Sequence, residues 1–141
     1  MTQPLLTLHV PMRAVSLNRY QRMFWGERAR HRHDTTLLVR SAMPMAVINA
    51  IGWPTSAPVR IDVIATMKPP ILDADNMVVK DIIDALKEWV IIDDSAAYVT
   101  AVTPTVRKGD RDSVTVLVWA ENQSVVDKDG NFSTSIDICV S

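Results

Sequence analysis

The chain has 141 residues, 48% of them hydrophobic and 22% charged, the balance of one globular domain rather than of a disordered tail. Fifteen Lys and Arg against sixteen Asp and Glu leave a formal net charge of −1, which excludes a uniformly basic nucleic-acid coat. No apolar run reaches the roughly 18–20 residues of a membrane span, and the single Cys139 offers no internal disulfide, so a cytoplasmic setting without membrane contact is expected.

Leu5 to Val10 reads as a strand stopped by Pro11, and Ser16-Leu17-Asn18-Arg19-Tyr20 as a loop-like segment. Leu37, Leu38, Ala42, Met45 and Ile48 recur at helical spacing and predict a helix from about Asp34 to Ala50, closed by Gly52-Trp53-Pro54. Val59 to Met67 alternates apolar and polar residues as a strand does, and Pro69-Pro70 breaks it. Val79, Ile82, Ile83, Leu86, Trp89 and Val90 predict a helix from about Asn76 to Val90, with Lys80, Asp81, Asp84, Lys87 and Glu88 on its solvent face. Two strands follow, near Ala97–Val106 and Ser113–Trp119, joined at Lys108-Gly109-Asp110-Arg111. This order predicts an α+β fold: one mixed sheet of about four strands with two helices packed on one face. The domain then spans residues 5–119, and 120–141 form an acidic tail with a hairpin around Asp129-Gly130-Asn131.

The near-zero total charge hides segregation. Residues 11–40 hold Arg13, Arg19, Arg22, Arg28, Arg30, Arg32 and Arg40 against Glu27 and Asp34, a local balance of +5. Residues 73–94 hold Asp73, Asp75, Asp81, Asp84, Glu88, Asp93 and Asp94 against Lys80 and Lys87, a balance of −5. The commoner meaning of such a pattern is two solvated faces attracting one another. The sharper one is a protein that grips a polyanion while holding cations for chemistry on it.

Asp73-Ala74-Asp75-Asn76 is the most informative stretch. Carboxylates at i and i+2 on an extended backbone point to one side, where they can share a cation such as Mg²⁺, although an ordinary capping turn has the same sequence. Asp93-Asp94 stands unfavourably after a helix end and implies a countercharge, from a metal or a nearby Arg. Lys80 and Asp84 have the spacing of a surface ion pair. His31 and His33, among arginines, read as part of a phosphate-contacting segment. Phe24 and Trp25, beside Tyr20, Arg19 and Arg22, suit either stacking on unpaired bases or core packing, whereas Trp53 and Trp119 are expected in the core.

Together Asp73-Ala74-Asp75-Asn76, Lys80, Asp84-Ala85-Leu86 and Asp93-Asp94 resemble the pattern of the RusA-type Holliday-junction resolvases, and Ser16 to Tyr20 is similar to the polar segment after that family's first strand. The resemblance runs from about Leu5 to Trp119 and implies a homodimeric, Mg²⁺-dependent endodeoxyribonuclease acting on branched DNA, with Mn²⁺ as a substitute metal. It places Asp73, Asp75 and Asp94 as metal ligands and Lys80 as the nearby catalytic cation. The segment before Asp73 holds only Lys68 where the family often carries arginines, which moves the DNA grip to Arg13, Asn18, Arg19, Tyr20, Arg22, Arg28, Arg30 and Arg32. Such a compact resolvase would be at home in a phage or prophage. The alternatives are a branched-DNA-binding module on the same fold that does not cut, and a small structural protein without affinity for DNA.

A helix from Asn76 to Val90 would hold Asp75 and Asp94 roughly 20 Å apart, too far to share one ion. Either the helix ends early and the chain folds back along it, or a two-fold axis sets one subunit's Asp75 against its partner's Asp94. The dimeric arrangement is the working expectation.

Overall fold

The computed structural model describes residues 3–121, so the tail with its expected hairpin and Cys139 lies outside the described residues. The architecture is α+β, built on one mixed four-stranded sheet. Its strands are β1 (Leu6–Val10), β2 (Val59–Met67), β3 (Val99–Lys108) and β4 (Ser113–Ala120), in the spatial order β1-β4-β2-β3. β4 runs antiparallel to both neighbours, with Val10 opposite Val114 and Val63 opposite Val116, while β2 and β3 are parallel. The parallel pair requires a long crossover, and residues 68–98 supply it.

Strict alternation explains why one face of this sheet is the core. Leu6, Leu8 and Val10, then Val59, Ile61, Val63, Ala65 and Met67, then Val114, Val116 and Val118 are all buried. The opposite face of β2 carries Arg60, Asp62, Ile64 and Thr66, each half-exposed. Trp119 belongs to that outer face rather than to the core: its indole N–H donates to Asp62 at 2.9 Å, and the Arg60 guanidinium lies 5.5 Å from its ring centroid. Trp53 packs against the core as expected.

The helices depart from the sequence expectation at their ends. Ser16 to Tyr20 is not a loop: Ser16 caps α1 (Leu17–Arg22), its hydroxyl accepting the Arg19 backbone N–H. The helix expected at Asp34–Ala50 starts nine residues earlier, as α2 (Trp25–Ser41), and stops before Pro44, which can only open the next short helix, α3 (Met45–Ile48). The helix expected at Asn76–Val90 is a 3₁₀ turn (Ala74–Asn76) followed by the seven-residue α4 (Lys80–Leu86). Among the described residues no helix is long and apolar enough to cross a membrane.

Arg40 accounts for the early end of α4. From α2 its Nε donates to the Ala85 carbonyl at 3.1 Å and an Nη to that of Lys87 at 3.3 Å, with the guanidinium 4.8 Å from the Trp89 ring centroid. These contacts satisfy carbonyls that a longer helix would have used, and the chain turns back at Glu88, whose φ of +71° lies in the left-handed region. The Glu88 N–H then bonds the Ile91 carbonyl at 2.7 Å and closes the turn. Arg40→Met, which keeps the apolar stem but strands the buried Ala85 carbonyl, is expected to cost about 1–3 kcal/mol, read as a lower urea midpoint.

Candidate metal and nucleic-acid site

Asp73 and Asp75 lie on the crossover just after β2, and both are exposed. The backbone there is not extended throughout. Asp73 is extended, but its carbonyl accepts the Asn76 N–H at 2.9 Å and winds Asp75 into the 3₁₀ turn, so the same-side argument for an i, i+2 pair does not apply. The turn packs against β3 and is tied to the N-terminal segment, where the Val78 N–H donates to the Val15 carbonyl. No cation among the described residues engages either carboxylate.

Asp94 has found a different countercharge from the metal or arginine the sequence suggested. Lys87, just past the end of α4, sits 3.4 Å from Asp94 and 3.2 Å from Asp84. Bonding to Asp84 first, and to Asp94 after it, holds the Lys87 ammonium above the usual lysine range. Asp93 is held below the usual carboxylate range, chiefly by the backbone N–H of Asp94. Lys80 is three-quarters exposed and pairs with Asp84 at 3.4 Å, the surface contact its spacing allows. The shortened α4 meets the first condition for joining Asp75 and Asp94 within one chain. Even so, no three His, Cys, Asp or Glu side chains among the described residues stand close enough to hold one metal ion.

The arginines divide into two groups. Arg13 is largely consumed inside the fold: its guanidinium donates to the carbonyls of Lys68 at 3.1 Å and Pro70 at 2.6 Å, and to Asp112 at 2.9 Å. Arg40 is likewise committed to α4. Arg19, Arg22, Arg30 and Arg32 are exposed along α1 and α2, Arg28 is half-buried, and Asn18 is exposed beside them. No arginine between 13 and 40 pairs with a carboxylate between 73 and 94 among the described residues, so the basic segment is not spent on the acidic one.

What joins the two segments is a pair that local patterning missed. Asp81, expected on the solvent face of its helix, is only 3% exposed; His31 Nδ1 lies 2.8 Å from one of its oxygens and the Tyr20 hydroxyl donates to the other at 3.3 Å. Tyr20 and His31 meet edge to face, with centroids 5.5 Å apart. Both side chains are thus tied into the fold through Asp81, and Tyr20 stays half-buried at this contact. Phe24 and Trp25 are outside the core, at 62% and 78% exposure.

Lys68, Lys108 and Arg111, none of them given a binding role from the sequence, are exposed where β2 and β3 end and β4 begins. Gly109 makes this corner tight: its N–H bonds the Met67 carbonyl, and an added Cβ would collide with the Thr66 methyl.

No family model and no curated protein matches this chain.

At the same corner Asp112 accepts the Lys68 backbone N–H at 2.9 Å, and that bond, followed by the Arg13 guanidinium, holds its carboxyl below the usual range. A folded pKa lowered in this way adds stability above the ordinary carboxylate pKa and loses it as the pH falls through the folded value. Asp112→Asn is accordingly expected to be less stable than wild type at neutral pH, with the gap closing on acidification below the carboxylate range, measured by urea unfolding across pH.

Proposed function

We propose that this protein is a Mg²⁺-dependent endodeoxyribonuclease of the RusA type, cutting branched DNA as a homodimer. The observation that carries the reading is a pair of exposed carboxylates, Asp73 and Asp75, that pair with no cation among the described residues, displayed on the same small domain as an arginine-rich segment that the described acids of residues 73–94 do not engage. Carboxylate oxygens are the donors Mg²⁺ prefers, and one or two of them with substrate phosphate and water complete its shell. Bound at Asp73 and Asp75, the ion would supply activation of water and stabilisation of the charge developing on the phosphate. Asp94 is the third ligand of the reading. Because one described chain does not gather three ligands, the reading assigns it to the site across the two-fold axis.

The chain's own residues do the rest. Arg19, Arg22, Arg30 and Arg32 neutralise backbone phosphates, which gives affinity that falls steeply with salt. Lys80, exposed at the start of α4, adds a positive charge on the same crossover as the acids.

Asp75→Asn is expected to lower Mg²⁺-dependent cleavage of a labelled four-way junction by more than about 100-fold, since even outer-shell partners of a metal are worth 10–100-fold. Junction binding should survive or tighten, because one carboxylate facing DNA is gone. Retained cleavage with lost binding would contradict the assignment, and binding without metal-dependent cutting in the wild type would leave only a binding module.

The shared arrangement has its own test. A heterodimer of an Asp75→Asn and an Asp94→Asn subunit keeps one intact site and one doubly damaged site if the acids meet across the axis. Cleavage should then return on mixing the two inactive variants. If each site were built within one subunit, both would be damaged and no activity would return.

A further inference from the structure

A cavity of about 290 Å³ opens at the end of the sheet where β2 stops. Its walls are mainly apolar, with Ala14, Met67, Ile71 and Leu72 contributing, and Arg13 and Arg19 add charge; among the described residues no aromatic side chain lines it. Leu72, which lines it, immediately precedes Asp73 in the chain, so the cavity adjoins the crossover segment that carries the two exposed carboxylates. A strand whose linkage met those carboxylates would pass the mouth of this cavity, which makes a nucleotide near that linkage the natural occupant.

The chemistry of the walls separates a base from a phosphate. A bare anion would be desolvated against Met67 and Leu72, whereas a flat heterocycle gains from the same surface. The volume falls at the lower end of small-molecule sites and suits one ring system rather than a folded-in strand. The surroundings favour nucleic acid over an uncharged ligand: Arg19 is exposed at the wall, and Lys68, Lys108 and Arg111 are exposed around the same corner of the sheet. Arg13 is fixed by three oxygen acceptors, so its edge of the cavity is rigid before anything binds.

We infer that this cavity receives one base, unstacked from the strand beside the linkage to be cut, while Arg19 holds that nucleotide's phosphate. The inference rests on the nuclease reading above and adds to it a site that senses which base flanks the cut. The energy of unstacking is smallest at a branch or mismatch, so such a site would also favour branched over continuous duplex.

Four-way junctions carrying 2-aminopurine at single positions near the branch test it with the full chain and no divalent metal, so that the DNA stays whole. Fluorescence is expected to rise several-fold on binding at one position and not at its neighbours, because the described walls of the cavity offer no aromatic ring to quench the base. Acrylamide should quench that position several-fold less than it quenches the free single strand. Ile71→Trp, a substitution at a half-exposed wall residue, should abolish the rise while the junction still shifts in a gel. A bound junction with no bright position, a bright position open to acrylamide, or a rise unchanged by Ile71→Trp would each overturn the inference while leaving the nuclease reading standing. Absence of any junction binding would bring down both.

Discussion

Arg13 stands where three strand ends meet. It lies three residues beyond β1, it holds the carbonyls of Lys68 and Pro70 just after β2, and it pairs with Asp112 just before β4. A guanidinium can do this because its five N–H donors lie in one rigid plane, whereas an ammonium on a flexible stem would have to be ordered anew for each acceptor. The consequence reaches the site through the chain. Asp73 follows Pro70 by three residues, so the path that presents the free carboxylates starts from a fixed point. The same bonds explain why Arg13, at the start of a basic segment, adds rigidity there more than it adds grip on a polyanion.

The strands were legible because a sheet with one buried face writes itself into alternate residues. Leu6, Leu8 and Val10 or Val59, Ile61 and Val63 have no other arrangement that buries them all. Helix ends were less legible, since they depend on contacts made far along the chain. Pro44 was a local signal and suffices to end α2. The end of α4 at Leu86 was not local, because it follows from Arg40, more than forty residues upstream. Apolar spacing continued through Trp89 and Val90, and both residues are in fact packed inward, but from a turn rather than a helix.

The candidate site divides in the same way. Residue types and order singled out the acids, and Asp73 and Asp75 are exposed. Asp81 was misplaced because a charged residue on an amphipathic helix is assigned to solvent unless its partner is known, and its partners are His31 and Tyr20, fifty or more residues away. Burial of such a carboxylate is tolerable only with hydrogen bonds of this kind, and they dock α1 and α2 onto the start of α4. The basic corner at Lys68, Lys108 and Arg111 was hidden for a simpler reason: Lys68 lies forty residues before the Lys108–Arg111 turn and reaches the same end of the sheet only because β2 and β3 run parallel and end together.

Lys87 shows how the acidic segment is kept from repelling itself. Asp84 and Asp94 both approach its ammonium, at 3.2 and 3.4 Å, so one cation screens two carboxylates that would otherwise face each other alone. Asp73 and Asp75 receive no such relief from a described side chain and stay in water, where their charge costs little. A divalent ion is drawn most strongly to carboxylates that no ammonium already screens, which ranks Asp73 and Asp75 ahead of Asp94 in any metal site on this surface. Recruiting Asp94 means displacing or sharing its contact with Lys87, and the incoming ion, with twice the charge, is the stronger partner at equal distance. The acids are thus unequal before any ligand arrives, and the inequality is set by where α4 ends.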